Sequence, residues 1–146
     1  MPRDFSKEFF AAYHAAVFGS LGDDAARYNA KIGSALASAW LKGLGELPSD
    51  SDEFKKALED WFSGPFRFSD TAELLIKDGK AVLHVAGCDI CPGNEILRNS
   101  GKNGCCPISQ MVKSAMGRAL KANVELTGSE KPGPVGECYL KYNISR

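Results

Sequence analysis

The sequence predicts a mixed α/β fold of the α+β kind, in which an antiparallel sheet has helices packed mainly on one face. Helical periodicity dominates residues 1–64, and strand signals begin only after them. Two apolar strands flank Asp78-Gly79, a dipeptide typical of tight hairpin turns, so these strands should pair in antiparallel fashion. At 146 residues the chain can bury one core, and we expect a single domain over residues 1–146.

Three helices are expected in residues 1–64, the helical part of the domain. Serine or acidic residues stand at each expected start, where they accept backbone N–H bonds or complement the helix dipole. The second helix carries a large apolar residue at every fourth position, flanked by small residues against which another element could pack closely. The expected limits are Ser6 to about Phe18, Asp23 to Gly43, and Ser51 or Asp52 to Gly64.

Residues 65–146 should hold the sheet, a cysteine loop and a C-terminal helix. The stretch 87–104 is rich in glycine and asparagine, which is typical of an irregular loop, with one helical turn over Glu95–Arg98. Pro107 suits the first position of a fourth helix, for which Cys106 would be the cap. The expected strands are Phe66–Phe68, 72–77, 80–85, 124–127 and 138–144.

Composition excludes some classes of partner. The chain has 18 basic residues (lysine plus arginine) and 18 acidic residues (aspartate plus glutamate), so its formal net charge is zero. Binding nucleic acid needs a surplus of basic residues or a basic face. No apolar run reaches the roughly 18 residues that a membrane span needs. The start, Met1-Pro2-Arg3-Asp4, lacks the apolar segment of a secretory signal. We therefore expect a cytoplasmic protein with reduced thiols, without nucleic acid or membrane as its partner.

The cysteines are the main chemical signal. A C-x-x-C pair places two sulfurs on one tight turn, where they can hold a single ion. An odd number of cysteines argues against a pure disulfide framework, so the pattern indicates a bound metal, an iron–sulfur centre or redox chemistry. None precedes residue 88, and the five are Cys88, Cys91, Cys105, Cys106 and Cys138.

A four-coordinate site needs two ligands besides the C-x-x-C. Adjacent cysteines rarely both point at one ion, so Cys105 and Cys106 should have different roles. Cys106 stands at a predicted helix N-terminus, whose dipole and free N–H groups stabilise a thiolate. Cys138 is in phase with the apolar residues of the last strand. The favoured set is Cys88, Cys91, Cys106 and Cys138, and in the alternative set Cys105 replaces one of these.

Ligand type does not decide between zinc and an iron–sulfur cluster, because four thiolates serve both. Cys91-Pro92 matches the Cys-Pro of bacterial ferredoxins, but the rest of that spacing is absent, and zinc is the expected ion. Two further interpretations stay open. The thiols could act as a redox dithiol, or they could be small buried apolar residues without a ligand role.

The C-terminal third resembles the end of the four-vinyl reductase domain. That family shows a cysteine before a small-residue helix, a strand that carries a glutamate, and a final strand with a glycine and then a cysteine. The small-residue helix over Tyr28–Gly43 is similar to the second helix of the family. The segments that carry the resemblance are 105–107, 116–120, 123–126 and 136–144.

The resemblance implies the fold shared with haem-type nitric-oxide sensors and with vesicle-tethering subunits. Such domains bind small, mostly apolar molecules between helices and sheet, often as homodimers. In related sensors of aromatic compounds, zinc is held by a cysteine before the helix, a strand glutamate and two later cysteines. Cys106 (or Cys105) would correspond to the first ligand, Glu125 to the glutamate and Cys138 to the last.

This chain departs from that zinc pattern. Gly128 stands where the cysteine after the glutamate is expected, Cys138 lies about two residues out of register, and the C-x-x-C has no counterpart. The departure suggests a rearranged site in which Cys88 and Cys91 replace lost ligands. Glu125 is then expected to be a solvated strand residue.

The expectation for function is a small-molecule binding or sensing domain with a cysteine-held metal. One alternative is an iron–sulfur or dithiol redox protein that acts at Cys88–Cys106, with a reductase-type activity if it is an enzyme. Another is a structural zinc domain that mediates contacts between proteins. His14 and His84 are expected to be packed or surface residues, and most aromatic side chains to be core rather than pocket lining.

Overall fold

The computed structural model describes residues 6–146 and has the predicted α+β architecture. Met1-Pro2-Arg3-Asp4 lies outside the described residues. No helix in residues 6–146 has both the length and the apolar character that crossing a membrane requires. In chain order the elements are α1 (Lys7–Leu21), α2 (Ala25–Leu44), α3 (Ser51–Ser63), β1 (Thr71–Lys77), β2 (Lys80–Ala86), α4 (Cys91–Asn99), α5 (Pro107–Leu120), β3 (Asn123–Glu130) and β4 (Cys138–Ser145).

The starts of the first helices follow the capping rules, with two corrections. Ser6 caps α1 as predicted, since its Oγ accepts a hydrogen bond from Phe9 N at 2.9 Å. The predicted opening of α2 at Asp23 is wrong, because Gly22–Asp24 forms a 3-10 turn that leads into it. The cap of α3 is Asp50 rather than Ser51 or Asp52: its Oδ1 accepts from the N–H of the third helical residue at 2.8 Å.

The four strands form one antiparallel sheet in the order β1-β2-β4-β3. The predicted hairpin at Asp78-Gly79 is confirmed. Both residues have positive φ, 53° and 73°, as a two-residue hairpin turn requires. β3 is longer than predicted and contains an irregularity between Leu126 and Gly128. β4 lies between β2 and β3, so its first residue, Cys138, starts a central strand.

Alternate side chains on the strands separate the two faces of the sheet. Leu74, Leu83, Leu140 and Tyr142 are almost fully buried on the inner face, in the core shared with α2, α3 and α5. On the outer face of β1, every second residue is exposed, including Leu75. Helices therefore cover one face of the sheet, as the sequence predicts.

The predicted strand at Phe66–Phe68 is wrong, because this segment connects α3 to β1 without pairing. Its apolar character reflects packing instead. The Phe66 ring stacks on Trp61 with centroids 4.2 Å apart, and the Phe68 ring meets the edge of Phe62 at 4.8 Å. These contacts close the end of the core beside α3.

The predicted loop over 87–104 contains α4, which is longer than the single turn expected at Glu95–Arg98. Pro92 favours a helix start, whereas Gly93 and Asn94 are poor helix formers. Their low helix propensity is why the sequence predicts a loop here. Packing explains both residues: a Cβ on Gly93 would lie 2.7 Å from His14 Cδ2 in α1, and the Asn94 side chain is hydrogen-bonded. Tertiary contacts here override local propensity.

The close approach of α2 and α5 depends on Gly33. A Cβ at this position would overlap the Gln110 side chain and lie 2.7 Å from Met111 N, so only glycine fits. Both contacts are on the first half of α5, the end that begins at Cys106. The small-residue side of α2 thus sets how near α5 lies to it.

We predict that Gly33→Ala lowers the free energy of unfolding by about 1–3 kcal/mol, because the added methyl group forces the two helices apart. Gly43→Ala is the matched control in the same helix, since nothing lies within 4 Å of a Cβ there. The control should raise stability by about 0.5–1 kcal/mol through helix propensity. Urea denaturation measures both, and equal effects would contradict the packing argument.

Candidate metal centre and ligand cavity

Four cysteines from separate segments line one cavity. Cys88 follows β2, Cys91 begins α4, Cys106 precedes α5, and Cys138 begins β4. The β2–β4 register pairs Val85 with Cys138, and Cys88 N donates to Gly136 O at 3.0 Å. These four are the set that sequence analysis favours, and the fold brings them to the same region.

The side chains of Cys88, Cys91 and Cys138 interact, and the interaction shifts their pKa values in opposite directions. Hydrogen bonding with Cys138, followed by that with Cys88, lowers the pKa of Cys91, and the Lys131 ammonium 4.0 Å away adds to this effect. Hydrogen bonding with Cys91, followed by burial, raises the pKa values of Cys88 and Cys138. Of these three thiols, Cys91 therefore loses its proton most readily.

Cys106 joins the other three electrostatically, since its charge raises the pKa values of Cys88 and Cys138. Burial, and to a smaller extent the charge on Cys91, raises the pKa of Cys106, although hydrogen bonds from first-turn residues such as Ser109 partly offset this. Sequence analysis expected the helix N-terminus to stabilise its thiolate. The N–H groups act in that direction, but the cost of burying the charge is larger.

Cys105 lies apart from the four. Its side chain packs with Ala15, Phe18 and Leu97, and burial raises the pKa of its thiol. Its backbone N–H donates to Asn94 Oδ1 at 2.7 Å. Neighbouring cysteines thus face different surroundings, as the sequence argument predicts, although Cys105 also contributes to the cavity wall.

Asn94 joins three segments around the cavity. Its Oδ1 accepts from Cys105 N and also contacts His14 Nε2 at 2.9 Å. Because a carbonyl oxygen only accepts, His14 Nε2 must carry a proton. His14 is therefore a buried structural residue that ties α1 to α4, which agrees with the sequence interpretation.

Glu125 and His84, which sequence analysis also considered, lie away from the cavity. Glu125 is exposed on the outer face of β3, between inward-facing neighbours, as expected for a solvated residue. His84 also lies on the outer face, stacked on Tyr139 at 4.2 Å and 3.6 Å from a Glu137 carboxylate oxygen. Arg98 and Lys102 line the cavity: Arg98 pairs with Glu95, and Lys102 donates to Gly19 O near the end of α1.

The cavity has a volume of about 710 Å³ and lies between the helices and the inner face of the sheet. Its wall is mixed, with apolar side chains, all five thiols and several amides. Of the aromatic residues considered from sequence, Phe68 lines it, while Trp40, Trp61, Phe62 and Phe66 belong to the core or its edge. The main apolar contributors are Phe18, Phe68, Val85, Leu97, Ile108, Leu126 and Leu140.

Among residues 6–146, no three histidine, cysteine, aspartate or glutamate side chains are arranged as a formed metal site. The donor set itself suits a metal, because Cys88, Cys91, Cys106 and Cys138 all line one cavity, and cysteine thiolates are ligands that zinc or an iron–sulfur cluster takes. Holding an ion requires the thiols to lose protons and their side chains to turn towards a common centre.

Sequence analysis missed Asn29 and Lys131 as residues of the site, and it treated Asn94, beside the cysteines, as part of a solvated loop, whereas Asn94 is buried. A buried asparagine has no signature in sequence, since the same residue type is common in exposed loops. Lys131 lies in the Gly/Pro-rich connection between β3 and β4, far in sequence from Cys91, and only the sheet brings the two together. Cysteine spacing and strand alternation drew attention to the cysteines, all five of which line the cavity.

We predict that Asn94→Ala lowers the free energy of unfolding by about 2–4 kcal/mol, because the His14 and Cys105 N–H groups lose their acceptor while they stay buried. Asn99→Ala, at the exposed end of α4, serves as the control and should change stability by less than about 0.5 kcal/mol. Urea denaturation is the measurement. A small effect at Asn94 would show that water replaces the lost acceptor.

No family model and no curated protein matches this chain.

Proposed function

We propose that this protein is a small-molecule binding or sensing domain of the four-vinyl reductase type, with a zinc ion held by Cys88, Cys91, Cys106 and Cys138 beside the ligand cavity. One observation carries the proposal: cysteines from three separate segments of the chain, at 88–91, 106 and 138, line the wall of a single cavity. As the resemblance implies, the domain would act as a homodimer. We place it in the cytoplasm, where thiols stay reduced.

The surroundings of the thiols support a metal. Cys88, Cys91 and Cys138 are only 4–6% exposed, so an ion among them would be shielded from water, as in closed structural zinc sites. A lowered pKa at Cys91 favours the thiolate that a metal needs. Lys131 supplies a positive charge beside a site that four thiolates would make negative.

The cavity supports the binding of a small molecule. Its volume of about 710 Å³ lies within the range of roughly 300–1,000 Å³ that is typical of ligand pockets. Apolar side chains from α1, α4, α5 and the sheet form much of its wall, and a few polar groups project among them. An organic molecule in it would touch the cysteine cluster, so ligand and metal would influence each other.

An iron–sulfur cluster is the second candidate for the same thiols. The hydrogen-bonded contact of Cys91 with two other thiols favours any centre that needs several thiolates, and it does not select the metal. Such a cluster would make the protein a redox protein rather than a sensor. Visible absorption of the purified protein distinguishes the two candidates, because zinc thiolates are colourless.

We predict that Cys91→Ser loses most of its bound zinc, because the residue that contacts both other thiols and Lys131 is gone. Elemental analysis of anaerobically purified protein measures the metal content. Cys105→Ser is the matched control, since Cys105 is equally buried but packs outside the cluster, and it should keep the zinc of the wild-type protein.

Three results would count against the proposed site. Equal zinc content in both variants and in the wild-type protein would show that the C-x-x-C pair is not part of the zinc site. Loss of zinc in Cys105→Ser alone would show that Cys105, and not Cys106, is the zinc ligand of the adjacent pair. Iron with inorganic sulfide in place of zinc would favour the redox candidate.

A further inference from the structure

The polar groups in the cavity wall differ in whether they already have partners. Asn94 Oδ1 accepts from two N–H groups. Ser109 Oγ donates to Cys106 O at 2.8 Å, and Lys102 Nζ donates to Gly19 O at 3.2 Å. These side chains are occupied in holding the wall together. A molecule that entered the cavity would have to break an existing bond to use them.

Asn29 is different. It projects from α2, is 7% exposed and lines the cavity. Its Nδ2 donates to Cys106 O at 3.3 Å, while its Oδ1 is buried without any partner. In the described part of the chain the other such buried side-chain atom is His84 Nε2, which lies on the outer face of the sheet.

The orientation of the Asn29 amide follows from its neighbour. Cys106 O is an acceptor, so the nitrogen of the amide must face it and the oxygen must point elsewhere. Turning the amide over would place two acceptors together and lose the bond. An unpaired buried acceptor is unfavourable, and the group that relieves it has to bring a hydrogen-bond donor.

We propose that the ligand of this cavity is not a pure hydrocarbon but an apolar body that carries one hydroxyl or N–H group, which donates to Asn29 Oδ1. This inference rests on the proposed function of the cavity. The apolar wall takes the body of the molecule, and Asn29 Oδ1, which is buried without a partner in a residue of that wall, accepts from the donor. Phenols, alcohols and indole-like compounds have this chemistry.

The position of Asn29 also gives its bond a second effect. The same amide contacts the ligand through its oxygen and the carbonyl of Cys106 through its nitrogen. Cys106 is the cysteine at the start of α5 that belongs to the cluster. A donor bound to Asn29 is therefore linked through one amide to the proposed metal ligand, and it strengthens the contact between α2 and that residue.

The test compares β-naphthol with β-methylnaphthalene, two probes of similar shape of which only the first can donate a hydrogen bond. Their dissociation constants are measured by fluorescence titration of the full chain as purified. In Asn29→Leu, the preference for β-naphthol over β-methylnaphthalene should fall about tenfold relative to the wild-type protein. Comparing this preference between proteins cancels the different hydration of the two probes.

Asn29→Asp is the conservative control. Aspartate keeps an acceptor oxygen at the position of Asn29 Oδ1 whether or not its carboxyl carries a proton. This variant should keep the wild-type preference. If Asn29→Leu does not fold, Asn29→Ala removes the same acceptor and takes its place in the comparison.

The possible results separate the inference from the proposed function. An unchanged preference in Asn29→Leu overturns the inference and leaves a cavity that binds apolar molecules. If neither probe binds the wild-type protein, the proposed ligand-binding function fails and the inference fails with it. If the preference for β-naphthol is lost in Asn29→Leu and kept in Asn29→Asp, the result supports both the role of Asn29 and the proposed ligand-binding function.

Discussion

The pairing of β2 with β4 is the constraint on which the arrangement of the cysteines depends. The register that places Val85 opposite Cys138 brings the end of β2, and Cys88 just beyond it, next to the start of β4. The bond from Cys88 N to Gly136 O continues this pairing past the last strand residue. A slip of one residue would turn Cys138 to the outer face, away from the other thiols. The sheet therefore determines which cysteines can act together.

The position of α5 is the second requirement, since Cys106 directly precedes this helix. Gly33 lets α5 approach α2 closely, and the Tyr142 hydroxyl donates to Ser109 O at 2.9 Å from the sheet below. The start of the helix is thus held from two sides. Asn29 adds a bond to the carbonyl of Cys106. A cluster built on these contacts belongs to the rigid part of the fold rather than to a loose loop.

Much of the fold could be predicted from the sequence because its signals are local. The Asp78-Gly79 turn, the Ser6 cap and the alternation along β4 each depend on neighbouring residues. The favoured set of cysteines followed from the same alternation and from the argument that adjacent cysteines point differently. What could not be predicted depends on contacts between distant segments. α4 contains Gly93 and Asn94, residues that favour a loop, and it is stabilised by packing on α1 that no local pattern shows. The partners of buried asparagines likewise become visible only once the chain is folded.

The strand order has a consequence for how copies of this protein can associate. β1 and β3 are the edge strands, whose unpaired backbone groups could recruit a strand from another chain. Both edges carry features that oppose such recruitment: Glu73 and Lys77 on β1, and on β3 a register irregularity together with acidic side chains. Continuous sheets running through two molecules are thereby disfavoured, and stable self-association would have to use helical surfaces or the open face of the sheet.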